Sequence, residues 1–575
     1  MSLLLAYARV NTVPVALSPQ AATLDAAPAV AAPTLRSILA GMLFATLLCA
    51  MNSYLTLSFG VIEEGPTIAA LFFFALFFLS RTRITTTEMV LVSTMGSAGG
   101  SFGFIANFYA AKAMTGQAYT MTQMVLFGIA SSLVGMVMVP LLRELLIRRD
   151  NLPWPGSRAT ESVIRTLVEA GDTRQPWYLL ATFSVAVFYV IFNQEDGVGW
   201  FPAELALGGL VAYGGAVSLA PFALGGSYLM SLRTCVGFLA GALVLMVLAP
   251  GLPRPEAPQT FVWPGIGFLT SSGLTLILLN WRVTVEGFRS LLSFKVGEPD
   301  PERILSGRAL LALAVGAFIL TVVVLNQFFG VPLLLVVLLI AVGGLIQNII
   351  ATRAQAQTAF NPARVMGILL EGVCAIFGGR ATAINLTGAG FVSGSGAQAS
   401  VLTADMAYGR AFRVPPRWQF LTQFATILPS VLVSAAVFDW IAGQKTLSLD
   451  SADLAAPVAK VWATTSLVFD GSAPMPAGAM NALLVGAAVG VVYTLLERLP
   501  RLERLLPCSV GLGIGMVLPP AYGIAFFLGG FFFWVVLGRW LRVRDVTLTT
   551  VAVGCVVAEG IGGVTKALLA TLGVL

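Results

Sequence analysis

Two carboxylates stand deep inside long apolar runs, where an ionisable side chain is costly and is therefore a functional candidate. Glu559 lies in the middle of VTLTTVAVGCVVAEGIGGVTKALLATL, and Glu371 lies in ARVMGILLEGVCAIF. Each could load and release a proton. The alternative is a packing carboxylate, satisfied by serine, threonine or backbone groups of a neighbouring helix. We predict that both residues carry protons, together with Glu63 or Glu64.

The chain has no histidine at all, which excludes serine-histidine-aspartate triads, HExxH zinc sites and histidine proton relays. Any acid-base step must therefore use carboxylates, lysine, tyrosine or water. The five cysteines are far apart and lie in or beside apolar runs, so neither a disulfide framework nor a CxxC metal site is indicated. We expect no cofactor and no resident metal.

The stretch NSYLTLSFGVIEEGP, residues 52–66, ends an apolar run with two carboxylates, Glu63 and Glu64, followed by Gly65 and Pro66. Glycine and proline end a helix here, before the next apolar run begins. A broken helix that presents polar side chains and freed backbone groups is how membrane proteins build substrate sites. A plain loop at the membrane surface is the alternative.

A second stretch of this kind is NIIATRAQAQTAFNP, residues 348–362. Its cation Arg353 could bind a carboxylate of a substrate or pair with Glu63, Glu64 or Glu371; a snorkelling helix-end arginine is the alternative. Together the two stretches supply the predicted substrate-binding residues, which are Asn52, Tyr54, Glu63, Glu64, Arg353, Gln357, Thr358 and Asn361.

The elements that position these residues are membrane helices, because 57% of the residues are hydrophobic and only 10% are charged. Soluble domains carry about 25% charged residues. The apolar runs predict an all-α polytopic membrane protein with about 14–17 transmembrane segments, some of them broken or re-entrant. The Gly- and Ser-rich runs at 86–113 and 382–409 suit either a re-entrant hairpin or a simple span, which leaves the number of spans open.

Four regions follow from these runs: a flexible tail at 1–35, a first transmembrane half at 36–281, a cytoplasmic loop and linker helix at 282–330, and a second transmembrane half at 331–575. Loops rich in lysine and arginine face the cytoplasm. Such loops are at 143–175, 282–308, 410–417 and 498–504, whereas 193–202 has no basic residue and should face outward.

The two broken stretches also suggest an internal repeat with an offset of 296 residues. This offset pairs Asn52 with Asn348, Ser97 with Ser393, Gly100 with Gly396 and Gln123 with Gln419. The loop after the first glutamine has six arginines at 143–175, whereas 441–477 has only two lysines. Opposite charge bias predicts opposite topology, the inverted-repeat plan of many secondary transporters. Chance similarity is the alternative.

Four motifs resemble the oligopeptide transporter (OPT) family, which includes the yellow-stripe-like metal-chelate carriers. They are NSYLTLSFG with Gly65-Pro66, LPWPGSRATESVIRTL, AQTAFNPARVMGIL and GLGIGMVLPPAYGIAFFLGG. The resemblance implies about sixteen spans and inward movement of small peptides or amino-acid-derived metal chelates with protons. It also implies proton coupling at Glu88, which matches a family glutamate. Gln357 and Gly100 stand where the family often has glutamate, which puts the place of coupling in doubt.

The sequence thus predicts a secondary active transporter, not an enzyme, in the inner cell membrane. Its expected partners are a small peptide or metal-chelate substrate, protons and the lipid bilayer. Nucleic acid is not expected, because the basic residues are scattered among short loops; oligomeric state is left open. The alternatives are a membrane-embedded enzyme acting on a lipid or prenyl substrate, which usually needs an Asp-rich or His-bearing metal cluster, and a passive channel.

Overall fold

The structure is a computed structural model. It describes residues 32–59, 65–79, 84–152, 154–169, 174–194, 200–248, 263–265, 267, 268, 271, 272, 275, 278, 279, 304–358, 361, 363–378, 381–449, 456–471, 478–502, 505–516 and 518–571. The predicted site residues Glu63 and Glu64 lie outside the described residues, as do most of the predicted N-terminal tail and of the basic loop at 282–308.

The first half is built almost entirely from helices. In chain order they are α1 Leu35–Phe59, α2 Pro66–Leu79, α3 Thr86–Gly100, α4 Gly103–Met114, α5 Met121–Leu142 with a π-helical extension Arg143–Arg149, α6 Pro155–Ile164 with a π-helical extension Arg165–Glu169, α7 Gln175–Ile191, α8 Pro221–Gly226 and α9 Leu232–Leu248. Between α7 and α8 a small antiparallel hairpin pairs β1 Glu204–Ala206 with β2 Ala216–Ser218 around a 3₁₀ turn, Gly208–Tyr213.

The remainder of the described chain is helical. Its helices are α10 Gly307–Val323 with the π segment Val324–Phe328, α11 Leu333–Leu339 with the π segment Ile340–Gln347, α12 Asn348–Thr358, α13 Ala363–Phe377, α14 Thr382–Ala411, α15 Pro416–Gln444, α16 Pro457–Asp470, α17 Ala479–Glu497, α18 Ser509–Gly515, α19 Pro520–Phe531 with the π segment Phe532–Trp540, and α20 Asp545–Thr571.

The predicted fold class, an all-α polytopic membrane protein, is confirmed. Within the described residues, eight helices are long and apolar enough to cross a bilayer, and five shorter apolar helices accompany them. The long ones are Leu35–Ser58, Thr86–Met114, Met121–Arg149, Gly307–Phe328, Leu333–Arg353, Pro416–Gln444, Pro520–Trp540 and Asp545–Lys566.

Both Gly- and Ser-rich runs form continuous helices, not re-entrant hairpins. α14 is one uninterrupted helix of 30 residues, and α3 continues into α4 through two residues, Ser101 and Phe102, that keep right-handed helical angles. The glycines do not break these helices, because buried backbone groups far from water must bond within the helix. Their role is close packing: a Cβ built on Gly394 would lie 2.5 Å from the ring of Phe104.

The helix boundaries repeat with the predicted offset of 296. Shifting the α3–α4 unit, 86–114, by this offset gives 382–410, and α14 spans Thr382–Ala411. The starts of α1, α2 and α5 shift to 331, 362 and 417, close to the starts of α11, α13 and α15. The agreement covers five successive helices, so chance no longer explains the repeat. The positions that this offset pairs with α10, 11–27, lie outside the described residues.

The equivalent helices of the two halves cross antiparallel. Along their contact, residue numbers increase in the α3–α4 unit while they decrease in α14, its counterpart. The contacting pairs are Ser101 with Gln398, Phe104 with Gly394, and Phe108 with Gly390. Two equivalent membrane helices that run in opposite directions are related by an axis in the membrane plane. This is the inverted-repeat geometry, and its axis passes near Ser101.

The remaining core contacts fix the direction of the neighbouring helices. α15 runs parallel to the α3–α4 unit, since Gln419 bonds Thr94 and Ser434 bonds Phe102, and α5 runs parallel to α14. The ends of α5 and α14 and the start of α15 therefore share one side of the protein. That side carries Arg143–Arg149, Arg410, Arg413 and Arg417, and we call it the basic face; the other side is the opposite face.

Candidate functional site

The first broken stretch contacts the core where α3 gives way to α4. Asn52 is fully buried on α1, and its Nδ2 donates a hydrogen bond of 2.7 Å to the carbonyl of Gly100. Two residues further on, the Ser434 hydroxyl of α15 donates to the carbonyl of Phe102 at 3.0 Å. Side chains from two neighbouring helices thus bind backbone carbonyls at the junction of α3 and α4.

The second broken stretch repeats this arrangement. Asn348, the counterpart of Asn52, is fully buried at the start of α12 and donates from Nδ2 to the Ser395 hydroxyl at 2.7 Å. Its Oδ1 lies 3.6 Å from the position that a Cβ would take on Gly396, the counterpart of Gly100. In both halves, therefore, the asparagine predicted from the repeat lies beside the predicted glycine, with a hydrogen bond to it in the first half.

A chain of hydrogen bonds between side chains links the two halves across the pseudo-twofold axis. Gln423 donates to Oε1 of Gln398 at 2.8 Å, and Gln398 donates to the hydroxyl of Ser101. All three side chains are buried. We call the buried polar residues along this contact the polar seam; its members are Asn52, Thr94, Ser101, Asn348, Ser393, Ser395, Gln398, Gln419, Gln423 and Ser430.

The polar seam contains buried polar atoms that have no hydrogen-bond partner among the described residues. They are Asn348 Oδ1, Ser393 Oγ, Gln419 Oε1, Gln423 Oε1 and Ser430 Oγ. Each such atom costs about 1–3 kcal/mol, so a cluster of them calls for an explanation. The side chains of the seam are all neutral amides and hydroxyls, which can exchange hydrogen bonds with neutral polar groups such as peptide units.

Arg353 lies at the end of α12, at the basic face. Its Nη1 contacts Oδ2 of Asp150 at 2.5 Å, and both side chains are less than one-fifth exposed. Asp150 follows the π-helical extension of α5. The expected pairing with Glu371 is wrong, because Glu371 lies two turns into α13, on the path back to the opposite face; Glu63 and Glu64 are outside the described residues.

The other predicted binding residues are divided between the seam and its surroundings. Asn361 donates to the Ser400 hydroxyl of α14 at 2.5 Å and accepts from the backbone N–H of Ala363, so it joins α14 to the start of α13. Tyr54 packs on the opposite side of α1 from Asn52, against Gly563 of α20. Gln357 and Thr358 end α12, and their side chains lie outside the described residues.

Glu371 is fully buried between α13 and α16. The hydroxyl of Thr465 donates to its Oε2, while its Oε1 has no hydrogen-bond partner among the described residues. A carboxylic acid in this position has one oxygen available for a proton or a ligand. Among the three predicted proton carriers that the structure describes, Glu371, Glu559 and Glu88, this is the geometry that suits loading and release best.

Glu559 and Glu88 both hold helix ends. Glu559 lies at the depth of Asn52, because the adjacent Gly560 packs on Met51, and its Oε2 accepts from the backbone N–H of Phe222 at 3.2 Å, in the first turn of α8.

Glu88 caps α3. It pairs with Arg36 at 2.5 Å and forms a capping box with Thr85. The spacing Thr85-x-x-Glu88 is the sequence signature of this box, a signal that the sequence prediction for Glu88 does not use.

Sequence reasoning missed the glutamines of the seam. The sequence prediction assigns the segments of Gln398 and Gln423 only to spans or hairpins, and it includes Gln419 only as the repeat partner of Gln123. A signal was present, since a glutamine in the middle of an apolar membrane helix needs a hydrogen-bond partner. It went unused because the identity of that partner depends on which helices touch.

A cavity of about 410 Å³ opens on the opposite face, above the ends of α4 and α15. It is lined by Ala113, Tyr119 and residues 442–447. Burial, together with the charge of Asp439, raises the pKa of the Tyr119 phenol above its ordinary value, so this phenol remains a neutral hydrogen-bond donor. The cavity lies at the end of the same two parallel helices that form one wall of the seam.

Comparison with known proteins confirms the predicted resemblance. A family model described as OPT oligopeptide transporter protein matches residues 32–257 and 274–570. A protein of Saccharomyces cerevisiae named "Putative oligopeptide transporter YGL114W" is 24% identical over 293 residues, which is 48% of this chain and 40% of the yeast protein. The chain thus matches less than half of that relative's length. With most of its residues covered by the family model, this multi-pass membrane protein belongs to the oligopeptide transporter (OPT) family.

Proposed function

We propose that the protein is a secondary active transporter that imports small peptides or amino-acid-derived metal chelates by alternating access at the polar seam. The observation that carries this proposal is the meeting of two inverted halves at a buried, incompletely satisfied polar surface. Inverted repeats that enclose a site at mid-depth are the plan of many secondary transporters. Family membership and the name of the yeast relative support the same function.

The chemistry of the seam suits an amide-rich substrate. The orphaned atoms Asn348 Oδ1, Gln419 Oε1 and Gln423 Oε1 accept hydrogen bonds, and a peptide N–H donates one. A chelate of an amino-acid-derived ligand offers the same groups, with the metal held by its own chelator.

We place the proton-coupling role at Glu371. Its Oε1 has no hydrogen-bond partner among the described residues and is available for a proton. Glu371 lies on α13, the helix after the second broken stretch, and contacts α16, so a proton there would affect both helices. Glu559 and Glu88 are engaged in holding helix ends, so we assign them supporting roles. The basic face is oriented toward the cytoplasm by the positive-inside rule, and the membrane is the inner cell membrane.

The test is proton movement in proteoliposomes with a trapped pH dye, as short peptides and iron chelates are added one at a time. We expect saturable acidification with one substrate class, lost in Glu371→Gln and kept in Glu559→Gln. Substrate uptake without acidification would indicate a carrier that is not coupled to protons. Uptake that never saturates would indicate a passive channel, and no uptake of any ligand would direct attention to an enzyme acting on a lipid or prenyl substrate.

A further inference from the structure

Two helix ends on opposite sides of the protein are closed by the same kind of backbone contact. Near the end of α1, the carbonyl of Leu57 accepts a hydrogen bond of 2.6 Å from the N–H of Ala456. Near the end of α12, the carbonyl of Ala356 accepts one of 2.8 Å from the N–H of Trp154. Each donor immediately precedes a short helix, α16 or α6, whose first residue is proline.

Both donors have an unusual backbone conformation. φ is +35° at Ala456 and +43° at Trp154, in the left-handed region that residues other than glycine seldom adopt. A following proline disfavours helical angles further. Both residues are buried. Strained conformations of this kind persist only where the surroundings hold them, and they concentrate at clamps and switch regions.

The two contacts lie at similar places in the two inverted halves, offset by 299 residues (Leu57 to Ala356) and by 302 residues (Trp154 to Ala456). α1 and the unit formed by α11 and α12 are counterparts, and each is held by a segment from the other half: Trp154 of the first half holds α12, and Ala456 of the second half holds α1. α12 ends at the basic face, where Arg353 also pairs with Asp150. α1 runs parallel to the α3–α4 unit, since Gly41 packs on Met95 and Gly99 on Ala45, so it ends at the opposite face.

We infer that the contacts Trp154–Ala356 and Ala456–Leu57 are two latches that close the polar seam, one at each face, and that they release in turn. This inference rests on the proposed alternating access. With both latches made, the seam is shut off from both sides. Because each latch joins the two halves through a strained residue, its release lowers the strain and frees one helix end at a single face.

The test uses two reporter cysteines at equivalent positions, Asn107→Cys toward the opposite face and Thr403→Cys toward the basic face, each in full-length protein whose five native cysteines are replaced by alanine. Both positions are fully buried. The rate of labelling by a membrane-impermeant maleimide is measured from each side in oriented vesicles. Ala456→Val raises the strain of the left-handed residue, and Ala456→Gly removes it. Ala459→Val, at a buried helical alanine of α16, controls for added volume.

We expect Ala456→Val to speed labelling of the Asn107→Cys reporter about tenfold and to leave the Thr403→Cys reporter unchanged or slower. Ala456→Gly should slow labelling of the Asn107→Cys reporter, and Ala459→Val should not shift the balance between the faces. A change shared equally by both reporters, or the same effect from Ala459→Val, would overturn the latch assignment. If the parent protein exposes the reporters to one face only, whatever the substrate, alternating access itself fails.

Discussion

Gly135 on α5 lies at a close backbone contact between the two halves, and replacing it by alanine tests that packing directly. A Cβ at this position would lie 2.4 Å from the carbonyl oxygen of Ser395 and 3.1 Å from the backbone nitrogen of Ala399, both on α14. These are backbone atoms of a continuous helix and cannot rotate away. To restore an ordinary contact of at least 3.4 Å, α5 and α14 would have to separate by about 1 Å.

The expected cost follows from two opposing effects. Forcing extra volume into a packed core costs about 1–3 kcal/mol, while replacing a helical glycine by alanine returns up to about 1 kcal/mol. We therefore expect Gly135→Ala to destabilise the protein by about 1–2 kcal/mol. Transport should also fall, because the separation displaces Ser395, whose hydroxyl accepts the 2.7 Å hydrogen bond from Asn348.

The assay is thermal unfolding of the detergent-solubilised protein at a fixed scan rate, alongside uptake per folded molecule. Gly316→Ala is the matched control: this glycine is also within a helix, α10, but a Cβ there would meet nothing within 4 Å. The control should be as stable as the parent or slightly more so. If Gly135→Ala is as stable as Gly316→Ala, the close approach of α5 to α14 is refuted.

Three further substitutions separate transport from stability. Asn348→Ala removes the donor to Ser395, so we expect uptake to fall about tenfold with a stability loss of about 1 kcal/mol; unchanged uptake would remove Asn348 from the path. Glu88→Gln weakens the pairing with Arg36. We expect the free energy of unfolding to fall by about 1–2 kcal/mol, with normal uptake per folded protein. Loss of proton-driven accumulation at normal stability would instead make Glu88 a coupling residue. Glu559→Gln keeps an acceptor for the helix end it holds, so substrate accumulation driven by a pH gradient should persist; its loss would make Glu559 the coupling group.

The fold class and the repeat could be predicted from the sequence because both depend on local or regular features. Apolar length alone predicts membrane helices. The offset of 296 correctly paired Asn52 with Asn348 and Gly100 with Gly396, since a repeated contact leaves both of its residue types at the same spacing in each half. Opposite charge bias in the loops then indicated the inverted topology that the crossing of α14 and the α3–α4 unit displays.

The partners of individual side chains could not be predicted in the same way. Arg353 pairs with Asp150, about 200 residues away in the chain, and Gln398 bonds Ser101 in the other half. In a membrane, helices find each other through small residues and close packing, not through an amphipathic period. A glycine such as Gly394 marks a close contact, but its sequence position does not identify the ring of Phe104 that lies against it.

The most direct test of the central claim compares two buried glutamines. Gln398→Leu removes an amide of the polar seam, and Gln175→Leu removes an equally buried, hydrogen-bonded amide on α7, outside it. Uptake of labelled peptide or chelate into proteoliposomes is measured per folded molecule. A seam that carries the substrate predicts uptake reduced at least about tenfold for Gln398→Leu and near that of the parent for Gln175→Leu. Equal uptake by the two variants would contradict the assignment of the polar seam as the transport path.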